Sequence, residues 1–270
     1  MHQICFEIGS FSIRWYGVMA ALGFMTAMFV FSYLRGYGGL NSDQTANLSL
    51  LAIFGGLLGA RIFYVVQFWS KFKHNLFEII RVDHGGLVFY GGFLVAAGLF
   101  IWYCRKHKLN MLAVLDVAAP AVAVGHAFGR VGCFLNGCCF GRPTDMCLAV
   151  TYPDGVLPER FDYGVSRHPV QLYETCGNLV IFGILFFLVG KLKRGRLTAL
   201  YLTMYGVLRF VDECFRGDHT DKILDTFTRA QFIGLFLIPL GIILYIKCAK
   251  NERLEKIETD SSAGTEKDPA

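Results

Sequence analysis

Long apolar runs recur along the whole chain, and they constrain its fold more than any other feature. An α-helix rises about 1.5 Å per residue, so about 20 apolar residues are needed to cross the hydrocarbon core of a bilayer. Of the 270 residues, 54% are hydrophobic and 17% are charged. Seven runs can be drawn, at roughly 15–34, 46–69, 86–104, 112–135, 171–190, 197–215 and 229–248. The sequence therefore predicts an all-α, polytopic membrane protein with seven transmembrane helices.

Basic residues between the runs predict the orientation of the helices. Three of the links and the segment after the last run are dense in Lys and Arg, whereas residues 136–170 hold three arginines against four acidic residues. The basic residues of these segments are Arg35, Arg105, Lys106, Lys108, Lys191, Lys193, Arg194, Arg196, Lys247, Lys250, Arg253 and Lys256. The positive-inside rule therefore predicts an N-terminus outside the membrane and a cytoplasmic C-terminus. The net charge of +5 is too modest to indicate a nucleic-acid partner.

The domain organisation is predicted to be simple. Residues 1–257 are expected to form one membrane domain without internal repeats. Residues 258–270 are rich in Ser, Thr, Asp, Glu and Gly, and such a polar segment is expected to be a disordered cytoplasmic tail. The first residues have no basic region and no small-residue cleavage site, so we expect no removable signal peptide.

Charged residues inside the runs are the most informative ones. A charged side chain at bilayer depth costs ~3 kcal/mol or more, so each should face the protein interior and find a partner of opposite charge. For Arg61 we expect that partner to be Asp116. Arg130 and Arg209 are predicted to lie toward the outer ends of their helices and to bind a phosphate group, for which the guanidinium fork is well suited. The alternative for Arg209 is an internal pair with Glu213, four residues further on.

Five short motifs follow one another along the chain. They are residues 14–17, with Trp15-Tyr16-Gly17; residues 85–92, with Phe89-Tyr90-Gly91-Gly92; residues 129–141, with Gly129, Arg130, Gly132, Phe134, Asn136 and Gly141; residues 167–174, with Arg167-His168-Pro169-Val170-Gln171-Leu172-Tyr173-Glu174; and residues 205–216, with Tyr205-Gly206, Arg209, Glu213 and Arg216. In this order they resemble the motifs of the prolipoprotein diacylglyceryl transferases of bacterial inner membranes. The resemblance covers most of the chain.

The resemblance implies a reaction that joins a lipid to a protein in the bacterial inner membrane. The diacylglyceryl group of phosphatidylglycerol would pass to the lipobox cysteine thiol of a preprolipoprotein, glycerol 1-phosphate would leave, and neither a cofactor nor a metal would take part. Arg130 and Arg209 would hold the leaving phosphate. The further residues that the resemblance assigns to the substrate pocket are Tyr16, Asn136, Gly141, Glu213 and Arg216.

Three positions depart from the family motifs. Tyr90 replaces a histidine, and tyrosine is a poor base at neutral pH although it is a good hydrogen-bond donor. Cys133 and Cys138 replace an asparagine and a glutamate. Tyr90 and His84, six residues before it, are therefore the candidates for the remaining catalytic work, with His126 as another possible base. Each histidine has a second interpretation, in which it only satisfies a neighbouring side chain.

Four cysteines, Cys133, Cys138, Cys139 and Cys147, lie close together in the sequence and leave three interpretations open. Cys138 or Cys139 could form a disulfide with Cys147 on the oxidising outer side of the membrane. The group could bind a metal with a histidine, although the spacing is not a standard zinc pattern. As a default, the cysteines pack as small apolar residues of a divergent family member.

Two alternative functions follow from these departures. The lost histidine, asparagine and glutamate favour a paralogue with the same fold and a different acceptor. The cysteines favour a non-catalytic membrane protein that binds lipid or carries out thiol redox chemistry.

Overall fold

The computed structural model describes residues 3–8, 11–73, 75–80, 86–153, 156–157, 161–162, 164–218, 222–223 and 227–265. The chain forms two compact units. One comprises residues 1–31 and 115–270, and the other comprises residues 32–114.

Most of the described chain is helical. The helices are α1 Trp15–Leu34, α2 Ser42–Gln67, the one-turn α3 Trp69–Phe72, α4 Phe89–Lys106, α5 Met111–Asn136, α6 Val170–Leu188, α7 Arg196–Phe215 and α8 Arg229–Thr265. Within the described residues, five stretches are long and apolar enough to cross a membrane: Trp15–Gly38, Ser42–Gln67, Met111–Asn136, Val170–Leu188 and Ala230–Lys250. The chain is therefore a mostly helical, multi-pass membrane protein.

The other two predicted spans coincide with α4 and α7, which are less apolar. Helix α4 contains two adjacent glycines near its start and Arg105 and Lys106 at its end. Helix α7 contains Arg209, Asp212 and Glu213 in its last two turns. These residues reduce the hydropathy of the two helices, so length and composition alone support five spans.

Short antiparallel strand pairs, which were not predicted from the sequence, lie outside the long helices. The pairs are β1 Ile4–Ile8 with β2 Phe11–Arg14, β3 Val150–Thr151 with β4 Ser166–Arg167, and β5 Lys222–Ile223 with β6 Phe227–Thr228. Strands of two to five residues carry too little apolar alternation to be recognised in a sequence. Two single-residue bridges, from Gly141 to Arg216 and from Pro143 to Arg167, join the loop after α5 to neighbouring segments.

Helices α2 and α4 pack closely in the unit of residues 32–114. A Cβ atom at Gly92 would lie 2.6 Å from the carbonyl oxygen of Gly56, so only glycine permits this approach. Arg61 of α2 is buried, and its guanidinium donates hydrogen bonds to the carbonyl oxygens of Ile79 (2.9 Å), Gly86 (3.0 Å) and Glu78 (2.6 Å).

Asp116 of α5 has different partners from those expected. Its carboxylate accepts hydrogen bonds from the Gly195 N–H (2.5 Å), the Thr198 N–H (2.7 Å) and the Thr198 hydroxyl (2.6 Å). These N–H groups lie at the start of α7, where the first turn of a helix has unpaired donors and a partial positive charge. Backbone groups of its own unit therefore satisfy each of the two side chains, and the predicted Arg61–Asp116 pair stays a prediction.

Helix α8 extends further than its apolar run. It ends at Thr265, whereas the sequence predicts a disordered tail from residue 258 onward. The segment after Lys250 contains several Glu and Lys residues, which are good helix formers, and this favours continuation of the helix. The division into a membrane domain and a tail stays a prediction.

Candidate active site

One face of α5 carries polar side chains near the end of the helix. His126, Arg130 and Cys133 are spaced by four and three residues, so they lie on the same face. The Arg130 Nε–H donates a hydrogen bond of 3.2 Å to Nε2 of His126. The histidine therefore presents an unprotonated Nε2 whose lone pair is already engaged.

Helix α6 supplies the carboxylate that faces this pair. Glu174 is 1% exposed, and its Oε1 lies 3.0 Å from Arg130 Nη2 and 3.6 Å from His126 Nε2. Gln171 and Asn178, one turn before and one turn after Glu174, are fully buried. Helix α6 therefore directs a stripe of polar side chains into the protein, which an apolar span permits only where partners exist.

Helix α7 contributes a second arginine–carboxylate pair. Arg209 Nη2 lies 2.7 Å from Glu213 Oε2, four residues further on. Arg209 Nη1 is buried and has no hydrogen-bond partner among the described residues. Arg216 follows the helix, with Nη1 3.6 Å from Glu213 Oε2 and a two-pronged contact of 3.0 and 2.9 Å to the Asp218 carboxylate.

Arg130 and Arg209 both have internal partners, and the pair of Arg209 with Glu213 is the alternative that the sequence left open. Each has a buried carboxylate beside it, because an uncompensated guanidinium in the protein interior would be too costly. The two pairs nevertheless belong to one charged centre, since Arg130, Arg209 and Arg216 all interact electrostatically with Glu174. We call Arg130, Glu174, Arg209, Glu213 and Arg216 the arginine centre.

The other predicted pocket residues lie around this centre in the same unit. Tyr16, at the start of α1, is about half exposed, and a Cβ atom at Gly132 would come within 3.3 Å of its ring. Asn136 ends α5, and its carbonyl accepts a 3.0 Å hydrogen bond from Gln3 Nε2. Gly141 donates its N–H to the His168 carbonyl (2.9 Å), so this backbone donor is already engaged by the protein.

Tyr90 and His84 are the two residues that the sequence predicts for the remaining catalytic work. Tyr90 is in the first turn of α4, within the other compact unit, and its side chain is 54% exposed. His84 lies outside the described residues. Their catalytic roles stay predictions.

The loop after α5 is held in one conformation by several backbone contacts. Gly137 and Cys139 have φ angles of +75° and +64°, in the left-handed region that side-chain-bearing residues seldom adopt. Gln171 Nε2 donates to the Cys138 carbonyl (2.7 Å) and to the Tyr152 hydroxyl (3.0 Å). Burial raises the pKa of Tyr152 to about 12, so this hydroxyl stays protonated at neutral pH. The Gly217 N–H donates to the Phe140 carbonyl (3.0 Å).

This conformation brings three thiols together. The Sγ atoms of Cys133, Cys138 and Cys139 all lie within 4.8 Å of one another. Hydrogen bonds from the Cys133 and Cys138 thiols, together with the guanidinium groups of Arg216 and Arg130, lower the pKa of Cys139. A cavity of about 270 Å³ adjoins the group and is lined in part by Cys138 and Cys139.

The disulfide considered from the sequence is not formed. All nine cysteines are free thiols, and Cys147 is exposed. Proximity in sequence suggested Cys147 as a partner, but the tight turn at residues 137–139 directs Cys138 and Cys139 toward Cys133 instead.

Gly137 offers a test of how strongly the loop conformation is specified. A Cβ atom there would collide with the Val156 side chain, and the positive φ adds an intrinsic cost. We expect Gly137→Ala to reduce the free energy of unfolding by about 1–3 kcal/mol, measured by SDS titration in mixed micelles. Gly164→Ala is the matched control, because Gly164 has φ +74° but open space around it. If both substitutions reduced the free energy of unfolding equally, the contact with Val156 would be unimportant. The same would follow if the double variant Gly137→Ala/Val156→Ala were no more stable than Gly137→Ala.

Glu174 and Gln171 are site residues that were not predicted from the sequence. Both were visible in the motif at residues 167–174, at the start of an apolar run. Burying a glutamate within such a run costs as much free energy as burying an arginine. The criterion that identified Arg130 therefore also applies to Glu174.

Fold and site together define a multi-pass membrane protein whose interior contains buried arginines paired with carboxylates. A family model described as prolipoprotein diacylglyceryl transferase matches residues 3–247. The chain belongs to the prolipoprotein diacylglyceryl transferase family.

Several relatives are similar over nearly their full length. A phosphatidylglycerol–prolipoprotein diacylglyceryl transferase of Clostridium tetani is 32% identical over 246 residues, which cover 91% of this chain and 97% of the relative. One of Finegoldia magna is 32% identical over 252 residues, covering 93% and 97%. One of Streptococcus pyogenes is 33% identical over 251 residues, covering 92% and 95%.

Proposed function

We propose that this protein transfers the diacylglyceryl group of phosphatidylglycerol to the lipobox cysteine thiol of preprolipoproteins, with release of glycerol 1-phosphate. Family membership supports the reaction and both substrates. Within the chain, the observation that carries the proposal is the buried Nη1 of Arg209, a charged donor with no hydrogen-bond partner among the described residues. A buried guanidinium donor without a partner is favourable only if a ligand oxygen satisfies it.

The arginine centre suits a phosphate that gains charge during the reaction. The phosphodiester of phosphatidylglycerol carries one negative charge, whereas the departing phosphate monoester approaches two at neutral pH. Arg130 and Arg209 therefore interact more strongly with the transition state than with the bound lipid, which is the condition for catalysis. Glu174 and Glu213 hold the two guanidinium groups in place while the site is free of substrate.

The remaining candidates have supporting roles in the proposal. Arg216, held by Glu213 and Asp218, adds positive charge behind the phosphate. Tyr16 and Asn136 border the pocket, and Gly141 allows the loop after α5 to approach His168, because a Cβ atom would lie 2.5 Å from the His168 carbonyl oxygen. Tyr90 is proposed to act as a hydrogen-bond donor, and His84 as the base if the acceptor thiol needs one.

The membrane arrangement belongs to the same proposal. All seven predicted spans would cross the bacterial inner membrane, with the N-terminus outside, the C-terminus in the cytoplasm and the active site near the outer leaflet. The distribution of Lys and Arg supports this orientation. Residues 1–257 would form the transferase domain.

A transferase assay tests the proposal directly. Purified protein in detergent is given phosphatidylglycerol and a lipobox peptide, and the peptide mass and the release of glycerol phosphate are followed. We expect a mass gain of one diacylglyceryl group that depends on the peptide thiol, with a peptide carrying alanine in place of cysteine as the control. Release of glycerol phosphate without modification of the peptide would indicate a different acceptor. No release from folded protein would contradict the proposal.

A further inference from the structure

We propose that Cys133, Cys138 and Cys139 form a zinc site whose fourth position takes the thiolate of the acceptor cysteine. The inference deepens the proposed transferase function and rests on it for the identity of the fourth ligand. The site itself is inferred from the geometry of the three thiols.

The three sulfur atoms are arranged as a zinc site requires. In tetrahedral coordination with zinc–sulfur distances of about 2.3 Å, neighbouring sulfurs lie about 3.8 Å apart. The Sγ atoms of the three cysteines are all within 4.8 Å of one another, so side-chain rotations that shorten each separation by at most about 1 Å would complete the site. Three protein ligands and one open position are the arrangement of catalytic rather than structural zinc.

The backbone around the three thiols is held in place by hydrogen bonds that do not depend on a metal. Cys133 is carried by α5, while Cys138 and Cys139 follow the turn at Gly137. The Cys138 N–H donates to the Cys133 carbonyl (3.2 Å), and the Cys138 carbonyl is held by Gln171. A site whose ligands are held in this way loses little conformational entropy when a metal binds.

The surrounding charge favours a thiolate site. Zinc with three thiolates carries one negative charge, and a fourth thiolate would make it two. Arg130 interacts electrostatically with Cys133 and Cys139, and Arg216 interacts with Cys139. These guanidinium groups stabilise the thiolates and also place the metal beside the proposed phosphate site.

A zinc ion at this site would account for deprotonation of the acceptor thiol, which the arginine centre does not explain. A cysteine thiol has a pKa of ~8.5, and only its thiolate is nucleophilic. His126 is poorly placed as a base, because its Nε2 already accepts a hydrogen bond from Arg130. Coordination to zinc deprotonates a thiol outright at neutral pH, so no histidine is needed beside the acceptor.

The step is balanced without any further reactant. The acceptor thiol releases its proton to water when its sulfur binds zinc. The zinc-bound sulfur then donates an electron pair to the glyceryl carbon that carries the phosphate, and the carbon–oxygen bond breaks with its electrons on the departing phosphate. The thioether formed is a weak zinc ligand and leaves, which reopens the fourth position.

Metal content and cobalt spectroscopy test the site on the full chain in detergent. Protein purified without chelators should contain about one zinc per chain. Replacement by Co²⁺ should give the intense near-ultraviolet charge-transfer band of thiolate–cobalt bonds. The band should be lost in Cys133→Ser and Cys139→Ser and kept in Cys147→Ser, whose thiol is exposed and outside the group.

Three further measurements use only the unmodified chain, so they do not depend on whether the variants fold. A lipobox peptide should change the visible Co²⁺ spectrum, whereas the same peptide with serine in place of cysteine should not. Zinc should protect the cluster thiols from maleimide, and a chelator should expose them and lower the transfer rate by about 100-fold.

The outcomes separate this inference from the proposed function. Active transferase that contains no zinc, is insensitive to chelators or has two of the three thiols joined in a disulfide would overturn the zinc site and leave the transferase function intact. A zinc site with the expected thiolate band but no transfer from phosphatidylglycerol would uphold the metal site and overturn both the proposed function and the role of zinc in it.

Discussion

Arg209→Ala is expected to lower kcat/KM for diacylglyceryl transfer by about 100- to 1,000-fold, the usual effect of removing one group that stabilises transition-state charge. The substitution removes the buried donor Nη1 that we assign to the phosphate. It also leaves the fold largely intact, because Glu213 keeps a second guanidinium, that of Arg216, 3.6 Å away. Arg209→Lys should recover only part of the activity, since an ammonium group cannot contact Glu213 and a phosphate oxygen with the geometry of a planar fork.

The matched control is Arg194→Ala, which removes an exposed arginine from the link before α7. It should change neither the activity nor the elution of the protein on size exclusion. Initial rates at several phosphatidylglycerol concentrations would separate kcat from KM. If Arg209→Ala raised KM alone, the arginine would bind lipid and transition state equally. If it changed neither parameter, the assignment of Arg209 to the phosphate would be wrong.

The long helices and the identity of the charged centre were predictable from the sequence, because both rest on strong local signals. Each predicted apolar run coincides with a helix, and an arginine such as Arg130 within a run must face the interior whatever the details of the fold. The family resemblance drawn from the five motifs is confirmed by the family model over residues 3–247.

The partners of these charges were much less predictable. Arg61 and Asp116 looked complementary, yet backbone carbonyls and helix N–H groups satisfy them separately. A sequence shows which side chains need partners, but the unpaired backbone groups at helix ends appear only once the loops are built. The internal pair of Arg209 with Glu213 was predictable from the sequence, since a spacing of four residues places both side chains on one helix face.

The thiol group illustrates a second limit. The sequence brings Cys138 and Cys139 close to both Cys133 and Cys147, and spacing alone does not decide between them. The decision depends on positive φ angles at Gly137 and Cys139. A positive φ at Gly137 can be expected from the sequence because glycine adopts it readily. A positive φ at Cys139 cannot be expected from the identity of the residue.

Glu174→Ala should be the most destabilising single substitution in the arginine centre. The carboxylate is 1% exposed and lies 3.0 Å from Arg130 Nη2, so its removal leaves a buried guanidinium without its counterion. We expect the free energy of unfolding, measured by SDS titration in mixed micelles, to fall by about 3–5 kcal/mol. Glu7→Ala, at an exposed position of β1, is the matched control and should have little effect.

The double variant Glu174→Ala/Arg130→Ala distinguishes a lost ion pair from a simple packing defect. If the penalty arises from the uncompensated charge, removing Arg130 as well should restore part of the stability, and the effects of the single substitutions should not add. The double variant should remain inactive, because it lacks an arginine that we assign to the phosphate. Additive losses of stability would mean that Glu174 contributes through packing alone, and full activity would mean that neither residue belongs to the active site.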